Sequence, residues 1–163
     1  MKRHSSAASL VLAVLAVLGL AGPVAAGEQV PFQGKLGGVV TMTPLTPPFV
    51  SVLVSATGNA THLGKFTLAI PHTVNRATRI ASGSYQFIAA NGDTLTATFV
   101  GQATPTSTPS VLYIVETATI TGGTGRFAGA TGSFITERLF DTITGTTTGS
   151  FRGTVSSPGT GKR

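Results

Sequence analysis

Between Val30 and Val155 runs in which apolar and polar side chains alternate with a period of two recur, and no window carries a sustained apolar stripe at helical spacing. That period sends successive side chains to opposite faces of an extended strand, so the chain reads as all-β. The expected strands are Val30–Val40, Phe49–Thr57, Thr61–Ile70, a short Thr78–Ala81, Ser84–Ala90, Thr94–Val100, Val111–Thr121 and Ser133–Asp141. Thr146–Val155 reads as a ninth that closes the sheet against the first. One face of the first strand carries Phe32, Gly34, Leu36, Gly38 and Val40; one face of the third carries His62, Gly64, Phe66, Leu68 and Ile70. Proline cannot donate to a ladder. The Pro-rich stretch from Thr43 to Pro48 is therefore expected to break pairing, and Pro71 to end its strand. Gly101–Ser110, with Pro105 and Pro109, reads as a surface loop.

Ser84–Ala90 and Thr94–Val100 form the clearest hairpin. A two-residue Asn91-Gly92 turn would place Tyr85 and Phe87 opposite Thr98 and Thr96. A three-residue loop, Ala90-Asn91-Gly92, puts them opposite Ala97 and Leu95, with Gly92 in the left-handed position such loops need. The second register gathers the apolar side chains on one face and is preferred. Eight or nine strands joined mostly in sequence point to an antiparallel up-and-down β-barrel, closed to remove its edges; a two-sheet β-sandwich is the alternative.

The amino terminus changes the picture of where the domain begins. Lys2, Arg3 and His4 precede an apolar core from Leu10 to Leu20, and Val24-Ala25-Ala26 offers small residues for cleavage. Residues 1–26 thus read as a secretory signal peptide cleaved after Ala26, and the protein as secreted or periplasmic with no membrane span after cleavage. Residues 27–156 are expected to form the barrel domain, and 157–163 a disordered tail. Removing 26 of the 163 residues leaves 137, enough for one core. There is no cysteine, so no thiol nucleophile, thiolate ligand or lipoprotein anchor. The basic residues after the signal are scattered singly apart from Lys162-Arg163, without aromatic interleaving, which argues against a nucleic-acid partner.

Between two β-patterned runs, Gly122 to Gly132 holds five glycines. No Lys-Ser/Thr pair follows for a phosphate loop, and no long helix for a dinucleotide fingerprint. Glycine here serves positive φ and close backbone approach. The stretch from Ile120 to Gly132, with Gly122-Gly123-Thr124-Gly125-Arg126-Phe127 at its centre, resembles the glycine-rich signature of plant dirigent proteins. That family shares an eight-stranded barrel with allene oxide cyclases, and the calycins are architecturally related. The resemblance implies a barrel whose interior hosts an apolar ligand or a reactive intermediate. It carries over no catalytic residue.

Candidate chemistry is sparse. If Ile120 faces Phe134, then Glu116 faces Arg138 on a face shared with Ile114, Ala118, Thr136 and Phe140. A charge pair inside a barrel marks a site; on a solvated face it is an ordinary salt bridge. Tyr113, Val115, Ile135 and Leu139 on the opposite face keep the second possibility open. His62, at the head of an apolar face, is a candidate acid, base or loop anchor; Tyr85 and Phe87 serve as core or pocket wall. His62, Tyr85, Phe87, Glu116 and Arg138 are the candidate ligand-binding residues of the interior. No carboxylate set completes a metal site around His62 or His72, no Gly-x-Ser-x-Gly elbow is present, and no cofactor is implied. Three functions compete: non-enzymatic binding of an apolar small molecule or an envelope role, a cyclase or isomerase steering an intermediate, and a surface or matrix structural protein.

Overall fold

The computed structural model describes residues 27–156, so the expected signal peptide and tail fall outside the described residues. Eight strands make up the domain. They are β1 (Gln29–Pro44), β2 (Phe49–Ala60), β3 (Gly64–Asn75), β4 (Ile80–Ala89), β5 (Thr94–Pro105), β6 (Val111–Gly123), β7 (Gly132–Asp141) and β8 (Thr146–Ser156). Each pairs antiparallel with its neighbour in sequence, and β8 returns to β1 to close the barrel. Closure rules out the sandwich. β1 pairs with β8 over Gln29–Val39 and with β2 over Gly34–Pro44, a stagger that accompanies strand tilt in a closed barrel.

The count is eight because Thr78–Ala81 and Ser84–Ala90 do not form separate strands: Ile80–Ala89 runs unbroken as β4. The prolines break less than expected. β1 continues to Pro44 and β5 to Pro105, both at strand ends. β3 runs through Pro71; its pairing with β4 skips Ile70 and Pro71, then resumes in the same register at His72↔Gly83. The β4–β5 hairpin takes the three-residue loop, with Tyr85↔Ala97, Phe87↔Leu95 and Gly92 at φ +88°.

The glycine-rich segment closes one end of the barrel. A bulge near Thr121 redirects β6, and Gly122 adopts φ +138°. A single 3-10 turn, Gly125–Phe127, then drops the Phe127 ring into the barrel end, where it is buried in the same core as Leu63 and Ala130. Outside, Arg126 Nε lies 2.7 Å from Asp93 Oδ2 and ties the plug to the β4–β5 loop. Beneath the plug Phe32, Phe66, Phe87, Phe134 and Phe151 pack ring on ring at 5.0–6.1 Å between centroids. Several such contacts are edge-to-face, the arrangement the ring quadrupole favours. This half of the interior is a packed core. Among the described residues no helix is long and apolar enough to cross a membrane.

Candidate functional site

Above the phenylalanine core the interior turns polar. Glu116 on β6 is fully buried and Arg138 on β7 is 3% exposed. Both sit at inward positions of alternating strands, whereas Tyr113, Ile135 and Leu139 point outward and are exposed. The two charges therefore share the interior face. They are not directly opposite. The β6–β7 register pairs Glu116 with Thr136 and Ile114 with Arg138, two residues away from the expected alignment. Ile120 meets Gly132 instead of Phe134, because the connecting segment folds into the barrel end rather than extending the hairpin. A two-residue slip preserves which face each side chain takes, and Arg138 reaches Glu116 diagonally.

The pair is bidentate: Arg138 Nη2 donates to Glu116 Oε1 at 2.7 Å and Nε to Oε2 at 3.2 Å. Arg138 Nη1 also donates to Thr147 Oγ1 at 3.3 Å, and the Thr147 hydroxyl in turn donates to the Leu139 carbonyl at 2.7 Å. Tyr85 donates its phenolic proton to Glu116 Oε2 while its ring stacks on Phe87. Burial would weaken Arg138's hold on its proton, but the Glu116 charge and hydrogen bonds reverse this and raise its pKa. Burial, then the neighbouring Glu116 carboxylate, pushes the Tyr85 phenol well above its ordinary range. The Thr136 hydroxyl slightly favours the phenolate, yet is itself a buried oxygen without a well-formed hydrogen bond.

His72, which follows the proline expected to end its strand, completes this layer. It is 8% exposed, faces inward on β3, and lies edge-on to Phe99. Its Nδ1 donates to the Ile70 carbonyl at 2.9 Å, which leaves Nε2 with a free lone pair in the neutral ring. Burial lowers its pKa and outweighs the Ile70 bond, with Arg138 adding to the lowering. Alternation signalled this position, since Phe66, Leu68, Ile70, His72 and Val74 form one series once Pro71 does not end the strand. His62 is not in the interior. It occupies the exposed β2–β3 turn with φ +65°, where Leu63 rather than His62 turns inward. Tyr85 and Phe87 are both fully buried in the interior.

Three large polar side chains of the layer face a glycine across a strand pair: His72 faces Gly83, Glu116 faces Gly101 and Arg138 faces Gly149. A Cβ at Gly101 would come within 2.6 Å of Glu116 Cγ, and one at Gly149 within 2.5 Å of Arg138 Cβ. The missing side chains are the space these groups occupy.

One step further along the strands the barrel opens. Val40, Met42, Val50, Val52, Val74, Ala103, Leu112 and Phe140 wall a cavity of about 570 Å³, with Arg76 and Arg79 at its rim. Arg79 sits at φ +59°, held by its N–H to the Asn75 carbonyl at 2.7 Å. Among the described residues no group of three or more His, Cys, Asp or Glu is placed to hold a metal.

No family model matches the chain, and no curated protein is detectably similar to it in sequence. Among solved structures, the pterocarpan synthase dirigent protein superposes with a TM-score of 0.57 at 13% identity, covering 83% of this chain and 89% of that one. The fold is dirigent-like. The glycine-rich segment that resembles the dirigent signature therefore sits in a dirigent-like barrel, and here it forms the plug of the closed end.

Proposed function

We propose that this chain is an exported, non-enzymatic barrel that binds an apolar small molecule in its open mouth. The observation that carries the reading is the cavity of about 570 Å³ walled by aliphatic and aromatic side chains at the one end the plug leaves open. Its volume lies within the roughly 300–1,000 Å³ of small-molecule sites. The packed phenylalanine half holds no ligand and serves as the rigid base. Native mass spectrometry of protein purified from its own source tests this directly, because a retained apolar molecule names the ligand. Val52→Trp, which fills the cavity, should abolish retention while leaving the far-ultraviolet circular dichroism unchanged. Retention that survives this substitution places the ligand elsewhere and ends the proposal.

A second reading is favoured by one feature, the buried phenol–carboxylate–guanidinium group of Tyr85, Glu116 and Arg138 beneath the cavity. It offers fixed polar groups for steering a reactive intermediate formed by another agent. Oxidative coupling of a phenol by a one-electron oxidant, with and without the protein, separates the two. A racemic product in both cases leaves only binding.

A further inference from the structure

We infer that the mouth takes a single-chain amphiphile with an acidic head, whose apolar body fills the cavity and whose anion pairs with Arg76 and Arg79. This rests on the binding reading above and names its ligand class. Both arginines line the cavity, and both are exposed at its rim. Neither makes an ion pair with a described residue; the ion pairs there are Arg126–Asp93 at the plug and Arg138–Glu116 inside. The carboxylate at this end of the barrel, Asp141, is committed elsewhere, accepting from the Ile143 N–H at 2.8 Å and the Thr144 N–H at 3.4 Å.

The backbone that carries the two arginines is fixed at the rim, so both side chains start from set positions there. The Arg76 N–H donates to the Pro48 carbonyl at 2.9 Å. Arg79 is fixed on both sides, its N–H to Asn75 and its carbonyl accepting from Ala103 N–H at 3.1 Å. Asn75 Oδ1 caps the turn between them through the Ala77 and Thr78 N–H groups. A wall of valines beneath a pair of unneutralised guanidinium groups suits a molecule that is apolar at one end and anionic at the other. Guanidinium forks match carboxylate geometry well.

The test compares decanoate with decanol, which share a chain and differ in charge, by calorimetric titration of the purified protein. Decanoate should bind about tenfold more tightly at low salt, since exposed ion pairs are individually weak and two together come to about one decade in affinity. The difference should shrink as salt rises. In the double variant Arg76→Gln/Arg79→Gln the acid should lose its advantage while decanol binds as before, which also shows that the variant is folded. Equal binding of acid and alcohol by the unaltered protein overturns this inference and leaves the binding reading standing. Binding of neither overturns both. Arginine-dependent association with anionic lipid vesicles, without any preference for decanoate, also overturns it, because the two charges would then read a membrane surface.

Discussion

Glu116 shows what burial does to a single side chain. Its carboxylate has no access to water, and its stability in the interior depends on three donated hydrogen bonds from Arg138 and Tyr85. Breaking a buried pair by removing one partner leaves an uncompensated charge and costs about 3–5 kcal/mol. Arg138→Met should therefore lower stability by about that much in urea denaturation. Replacing both residues with apolar side chains of similar volume should cost far less than Arg138→Met alone. His72 adds a pH dependence of defined sign. Its folded-state pKa is lowered, so the unfolded chain binds more protons between that value and about 6.5. Its contribution is complete above pH 6.5 and declines as pH falls below it. Thermal melting from pH 4 to pH 7.5 should show a smaller acid loss for His72→Gln than for the unaltered protein. Equal acid losses would mean that His72 is protonated at no cost in the folded state.

At the scale of elements, the glycine-rich segment is a structural part with a specific task. It bends β6 out of the wall, carries Phe127 into the barrel end and returns to β7 at Gly132. At Gly132 any Cβ would lie 2.2 Å from the Thr154 carbonyl. Phe127→Ala should cost about 3–5 kcal/mol, as for a buried phenylalanine deleted from a core, read by chemical denaturation. The same substitution should leave ligand retention at the opposite end unchanged. The glycines opposite the polar layer make a second element-scale prediction. Gly149→Ala brings a methyl against Arg138 and within 2.4 Å of the Glu137 carbonyl. Overpacking of this kind costs about 1–3 kcal/mol, and the loss should persist when Arg138 is already Met, because the methyl meets the Cβ that both side chains share.

The whole molecule is a ribbon closed on itself, with an aromatic base, a polar middle and an apolar mouth. Period-two alternation determined much of this: the all-β class, the apolar faces of the first and third strands and the β4–β5 register were legible in the residues themselves. So was the meeting of β8 with β1. Glu116 and Arg138 were legible as a pair because parity survives a two-residue slip, although their diagonal alignment was not. His72 was hidden by Pro71, since a proline that stops an isolated strand is accommodated where neighbouring strands supply the remaining ladder bonds. His62 was misplaced because a three-residue turn, not a strand, holds it. The mouth lay beyond sequence reading altogether. Its walls come from six different strands separated by up to a hundred positions, and only closure brings them to one rim. Local pattern decides which way each side chain points. What those side chains enclose is decided by the distant strands they meet.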